Sequence, residues 1–253
     1  MLNEERRRSI VDLVNRNGRG VVRDLARKLG SSEITIRRDL DMLHDRGLVY
    51  RTHGGALPIQ SASEADRSLT ERELQHPREK IRIAAAAAKF VREGQSVILD
   101  SGSTTTAIAR SLRDFTQLTV ITNAINIASE LSGSAVEVVL TGGLLRKNSY
   151  SLVGPLAEES LHHLKADILF LGVEGLDARF GLSTANILEA QLNRVMVQTA
   201  QRVVAVCDSS KFGRRSLSSI VPISAIHQVI TDKQAPHEDL EELRKAGVEV
   251  LAI

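Results

Sequence analysis

Thr35, Arg37 and Arg38 stand close together in the stretch SEITIRRDLDMLHDRG, residues 32–47. A hydroxyl and two guanidinium groups on one helix face can hydrogen-bond phosphates, and an arginine can grip a guanine edge bidentately. A second set lies far downstream in DSGSTTT: Asp100, Ser101, Gly102, Ser103, Thr104 and Thr105. Small residues there let backbone approach a ligand. Free N–H groups and hydroxyls opening a helix can hold an anion. Other polar residues close apolar runs: Asn123, the Gly142-Gly143 pair, Glu174 and Asp177 in GVEGLD, and Lys211 in DSSK. Carboxylates at such places can accept ligand hydroxyls, and Lys211 adds a cation. Glu189 joins this set only through the resemblance described below.

The elements that must position these groups can be read from hydrophobic spacing. Ile36, Leu40 and Leu43 form one helical stripe, which turns Ile34, Thr35, Arg37, Arg38 and Asp41 outward. The first segment reads as helices over about 4–15, 22–29 and 33–45, with Gly30-Ser31-Ser32 as the turn and Ser32 as N-cap. GLVYRTHGGAL then reads as a strand and hairpin tip at His53-Gly54-Gly55. Three helices and a β-hairpin make a winged helix-turn-helix. Residues 58–77 are polar, without a sustained apolar pattern, and read as a linker holding at most a short helix. From Arg78 onward SVILD, LTVIT, VEVVLTGG, ADILFLGV, RVVAVCD, HQVITD and VEVLAI alternate with helical stretches. Near-continuous Val, Ile and Leu runs between helices indicate a parallel sheet covered on both faces. The expected division is therefore 1–57, a linker over 58–77, and 78–253.

Composition narrows the functions. Residues 1–57 carry 12 Lys and Arg against 8 Asp and Glu, whereas the whole chain is only +2. The positive excess thus sits where the arginine helix is. Aromatic residues make up 3% with no Trp, which argues against base-stacking platforms. The single cysteine, Cys207, excludes an internal disulfide and suits a reducing compartment. The N-terminus lacks the apolar core of a signal peptide, and no run approaches a membrane span, so a cytoplasmic protein is expected. The loops match neither a Walker A motif nor a dinucleotide fingerprint, and no metal-ligand spacing occurs among the histidines. No cofactor or metal is expected.

In a helix-turn-helix the second helix enters the major groove. Ser32, Thr35, Arg37 and Arg38 are then the expected DNA contacts on the helix, and Arg51, His53 and Gly54 those on the wing. The alternative is a solvated face whose arginines pair with Asp41 or Asp45. In the larger part, polar loops at the C-terminal ends of parallel strands converge on one pocket. Its hydroxyls, carboxylates and lysine suit a phosphorylated sugar or polyol better than a nucleotide.

SSEITIRRDLDMLHDRGLVYRTHGGAL resembles the DNA-binding signature of the DeoR family of bacterial transcription regulators, with Thr35 to Leu40 and Gly54-Gly55-Ala56 matching it. DSGSTTT, VITNA, LTGG, LVGP, GVEGLD with GLST, Glu189 and DSSKFG resemble that family's effector domain. The resemblance implies a fold similar to ribose-5-phosphate isomerase, repression of carbohydrate-catabolism genes on double-stranded operator DNA, and control by a phosphorylated sugar. It also implies a homodimer or homotetramer. Glu174 stands where many relatives carry Asp. The competing class is an enzyme, a sugar-phosphate isomerase with an appended DNA reader, using Glu174, Asp177, Glu189 and Lys211 for proton transfer and polarisation.

Overall fold

The computed structural model describes residues 3–17, 19–45, 48–52, 54–58 and 67–253. His53 and residues 59–66 of the expected linker lie outside the described residues. The chain divides into two compact units, 1–66 and 67–253.

In the first unit, α1 (Asn3–Asn17), a two-residue strand β1 (Gly20–Val21), α2 (Val22–Leu29) and α3 (Glu33–Asp45) precede the hairpin of β2 (Val49–Thr52) and β3 (Gly55–Pro58). Gly30, in the left-handed region at φ +59°, ends α2 and permits the tight turn into α3. Ser32 caps α3 by accepting the Thr35 N–H at 3.2 Å. The expected stripe is the core: Ile36, Leu40 and Leu43 are buried against Ile10 and Val14 of α1, Val22 and Leu25 of α2, and Val49 of the wing. The strands pair antiparallel in the order β1-β3-β2. Here two glycines are obligatory. A Cβ on Gly55 would lie 1.9 Å from the Gly20 carbonyl oxygen, and one on Gly20 would lie 2.6 Å from Val14 Cγ2. Gly55→Ala must therefore break the β1–β3 pairing or displace β1 from α1. Forced overpacking of this kind costs about 1–3 kcal/mol. The expected result is a lower melting temperature for the first unit in calorimetry, with the transition of the second unit unmoved.

The second unit opens with α4 (Leu69–Leu74) and α5 (Pro77–Ala88). The expected linker is thus shortened from its C-terminal side. Ser68 and Glu71 form a reciprocal capping box on α4, Leu69 is buried, and its N–H donates to the Asn148 carbonyl at 2.7 Å. Residues 67–77 are therefore an integral part of the second unit.

A seven-stranded sheet then forms from β4 (Ser96–Leu99), β5 (Thr119–Thr122), β6 (Glu137–Leu140), β9 (Ala166–Gly172), β12 (Ala200–Val206), β14 (Gln228–Thr231) and β15 (Glu249–Ala252). Its order is β15-β14-β12-β9-β4-β5-β6, and every pair is parallel. Alternate side chains of each strand feed two separate cores, as expected for a sheet buried on both faces. Val97, Leu99 and Phe170 point to the face of α5, α6 (Ser103–Ser111) and α7 (Ile125–Leu131). Ile98, Leu169 and Leu171 point to that of α8 (Pro155–His162), α9 (Ile187–Thr199) and α10 (His237–Lys245). Chain order reverses between β4 and β9, so the switch point lies there, where an open sheet leaves a crevice at its carboxyl edge.

Three short antiparallel pieces lie outside this sheet: the hairpin of β7 (Leu144–Arg146) and β8 (Ser151–Val153), the hairpin of β10 (Gly175–Asp177) and β11 (Gly181–Thr184), and β13 (Ser218–Ser219) against β11. Among the described residues, no helix is long and apolar enough to cross a membrane.

Candidate functional site

At the switch point Asp100 reaches across from the end of β4 to accept the Gly172 N–H at the end of β9, at 3.0 Å. Glycine on both sides makes room: a Cβ on Gly102 or Gly172 would stand 3.4 or 3.2 Å from Asp100 Oδ1. Beside this crossing opens a cleft. Ser101, Gly102, Ser103 and Thr104 form one wall. Because Gly102 is the N-cap of α6 and offers no side-chain acceptor, the first N–H groups of that helix remain available to an anion.

Three carboxylates face the cleft: Asp100, Glu174 and Glu189. Glu174 follows β9, and its Oε2 accepts the Ala185 N–H at 2.8 Å. Glu189 sits in the first turn of α9, which Asn186 caps through its Oδ1. Glu189 Oε1 accepts from Ser149 (2.6 Å), Ser151 (3.0 Å) and Arg146. Opposite stand three cations, Arg72, Lys80 and Lys211. Arg72 Nη1 lies 3.6 Å from Glu174 Oε1. Lys80 Nζ donates to the Arg72 carbonyl at 2.5 Å and to the Gln75 carbonyl. Gln75, Thr184 and Asn193 complete the polar lining.

Burial sets the titration of this cluster. It pushes Asp100 up to about 7, against the pull of the Gly172 N–H and the Thr105 hydroxyl. It pushes Glu174 up to about 7 as well, with Arg72 opposing and Glu189 reinforcing the shift. Burial also brings Lys80 down to about 8, with Asp208 opposing and Lys211 and Arg72 reinforcing. Near neutral pH both carboxyls are therefore part-protonated while Lys80 keeps most of its charge, which favours an anion.

Stability depends on pH accordingly. Between the ordinary carboxylate range and pH 7 the folded state holds protons that the unfolded chain has released. Stability should therefore fall as pH rises from about 5 to 7, by up to about 1.4 kcal/mol per pH unit for each such group, and the carboxyl contribution is constant above that. Urea unfolding of Asp100→Asn should show a shallower decline over this window than the parent. Parallel curves would contradict the assignment.

In the first unit the outer face of α3 carries Thr35, Arg37 and Arg38. Arg37 and Arg38 are exposed. Arg37 makes only a 3.4 Å pair with Glu33, and Arg38 has no ion-pair partner among the described residues. Asp39 points the other way. It is 2% exposed and accepts from Arg6 Nε (2.6 Å) and Arg7 Nε (2.9 Å) of α1. That double pair fixes how α3 rotates on α1, and so which side chains face out.

Residues 75–233 match the DeoR C terminal sensor domain, and residues 6–62 the DeoR-like helix-turn-helix domain. The chain belongs to the DeoR family. It is 41% identical to a putative aga operon transcriptional repressor of Escherichia coli O157:H7, over 98% of this chain and 93% of that one. It is also 41% identical to the HTH-type transcriptional regulator GlpR of Haloferax volcanii, over 99% and 98%. Identity to the glycerol-3-phosphate regulon repressor of Escherichia coli is 31%, over 93% of each chain. Among solved structures it is similar to ribose 5 phosphate isomerase A from Neisseria gonorrhoeae, at 15% identity and a TM-score of 0.41, covering 59% of this chain and 57% of that one. This DeoR-family chain is a DNA-binding transcription regulator.

The expected site residues divide into those that line the cleft and those that do not. Asp100, Ser101, Gly102, Ser103, Thr104, Glu174, Glu189 and Lys211 come together in it. Thr105 does not. Its hydroxyl accepts the Gly102 N–H at 2.8 Å and faces the Asp100 carbonyl at 2.8 Å, closing its own turn. Asn123 is buried and donates to the Leu152 carbonyl at 3.1 Å, binding the end of β5 to β8. Gly142 and Gly143 lie apart from the cleft, where a Cβ on Gly143 would strike the Val153 carbonyl at 2.7 Å. Asp177 is committed to the β10–β11 hairpin. It accepts from Arg215 Nε at 2.7 Å and from the Arg179 N–H at 2.9 Å. Although burial raises it, these partners hold its carboxyl below the usual range.

On the wing, Arg51 binds Asp41 of α3 at 2.7 Å and the Gly55 carbonyl at 2.8 Å, so it braces the hairpin. The Gly54 carbonyl accepts the Val22 N–H at 2.9 Å. Cys207 is buried at the cleft floor with its thiol pKa raised by that burial, which keeps it a thiol. Arg72 and Gln75 were hidden in a stretch that reads as linker, although the Ser68–Glu71 capping box is visible in it. Lys80 stands in the helix just beyond. Asn193 comes four residues after Glu189, which places both on one face of α9.

Proposed function

We propose that the protein is a repressor whose hold on operator DNA is set by a phosphorylated sugar or polyol bound in the switch-point cleft. The observation that carries this reading is the pairing of an uncapped helix N-terminus and three cations with three carboxylates. The first group suits a phosphate, and the carboxylates suit neighbouring hydroxyls. The name of the glycerol-3-phosphate regulon repressor supports a small phosphorylated polyol or sugar. Arg37, Arg38 and Thr35 enter the major groove, with Ser32 fixing the helix start and the wing beside the backbone. Two half-sites require at least a homodimer, and a homotetramer extends the same logic. The ligand changes occupancy only through its differential affinity for the free and DNA-bound states. The protein acts in the cytoplasm, where its operator is, and leaves the ligand chemically unchanged.

A second reading has one observation in its favour. Two carboxyls titrating near 7 beside a lysine near 8 could move protons in an isomerisation. One experiment separates the two. Fluorescence anisotropy on DNA upstream of the gene is run at several salt concentrations with a panel of sugar and polyol phosphates, and each compound is recovered and analysed by NMR. Salt-sensitive binding released by an unaltered compound is the expected result. Conversion of a compound without specific DNA binding would favour the enzyme.

A further inference from the structure

Among the cleft cations, Arg72 alone belongs to α4. Its Nε is buried and has no hydrogen-bond partner among the described residues. Its Nη1 reaches Glu174 at 3.6 Å, longer than a good charge-assisted hydrogen bond. The guanidinium is thus held near the cleft with donors to spare. The helix that carries it is clamped at both ends. At its start are the Ser68–Glu71 box and the Leu69 N–H bond to Asn148, and at its end the Lys80 ammonium binds the Arg72 and Gln75 carbonyls. α4 is also the first described element after residue 66, so the backbone coming from the DNA-binding unit enters the sensor unit through it.

We infer that Arg72 couples ligand binding to DNA binding, by exchanging its loose pair with Glu174 for the ligand phosphate and carrying that exchange into α4. This rests on the reading that a phosphorylated ligand occupies the cleft. A planar guanidinium meets a phosphate bidentately, with both donors satisfied, which the present pair does not offer. Glu174 stays anchored by the Ala185 N–H when Arg72 leaves it. Lys80 is a positioning residue here, since its bonds hold the carbonyl end of the helix that moves.

The test uses the full chain, with glycerol 3-phosphate and a set of hexose and pentose phosphates as probes. Ligand affinity is measured by calorimetry. Operator affinity is measured with and without saturating ligand, for the parent, Arg72→Met, Arg72→Lys and Glu174→Gln. Arg72→Met should bind ligand on the order of 10- to 100-fold more weakly and keep its operator even when saturated. Arg72→Lys should recover binding more than release, and Glu174→Gln should bind ligand more tightly. Hydrogen exchange over 69–76 in the parent should change with ligand, a readout that does not depend on any variant folding. Release of operator by saturated Arg72→Met as in the parent, or unchanged exchange over 69–76, would overturn the coupling role and leave the sensor reading standing. Failure of the parent to bind any of the phosphates would remove the reading itself.

Discussion

Alanine at both Arg37 and Arg38 should weaken operator binding by between about 30-fold and 10⁴-fold, because each arginine contact is worth about 1–3 kcal/mol. The double variant should fold as the parent does. Both side chains are exposed, and the one local pair, Arg37 with Glu33, is a surface i,i+4 contact of little energetic weight. Ligand affinity of the sensor unit should also be unchanged, since neither residue lines the cleft. Anisotropy titrations with operator and with an unrelated duplex, beside a thermal melt, would measure this. Operator affinity equal to that of the parent would show that α3 is not the reading helix.

Asp39→Ala should do the reverse, abolishing DNA binding by unfolding rather than by lost contacts. Asp39 receives two guanidinium groups whose own side chains are only 12% and 15% exposed. Removing the acceptor deletes both of these contacts between α1 and α3, and the remaining Arg7 pair with Glu4 at 2.9 Å lies within α1 and does not replace them. A unit of this size has a total stability of only about 3–10 kcal/mol. The expected observation is loss of helical circular dichroism in proportion to the first unit, with the second unit still melting cooperatively. Loss of operator affinity with the first unit fully folded would instead make Asp39 a contact residue.

The parts of this molecule that were legible from sequence are those where one physical rule acts alone. The α3 stripe of Ile36, Leu40 and Leu43 was readable because a single buried face imposes a single period. The long sheet was readable because burial on both faces leaves nearly unbroken Val, Ile and Leu. Where two roles compete for the same residue type, the sequence is silent. The Thr105 hydroxyl and the Asp177 carboxylate have the chemistry of ligand-binding groups but spend it on their own turns, a choice that only local geometry reveals. The β7–β8 and β10–β11 hairpins are too short to show a period of two. Asp39 did leave a trace, since it lies three residues from Ile36 and next to Leu40, on the buried side of the helix. Arg72 and Gln75 stay hidden because a polar stretch reads as linker until its capping box is noticed.

The placement of β4 inside the sheet, flanked by β5 on one side and the much later β9 on the other, bears on how the protein is born. The first unit completes its core by Ala56, whereas the cleft needs every segment from Arg72 to Lys211. Roughly 150 residues of synthesis separate the two events, about 8–30 s at ribosomal rates. A chain still on the ribosome thus carries a finished DNA reader before it possesses a sensor. For that interval, nothing the sensor detects can restrain it.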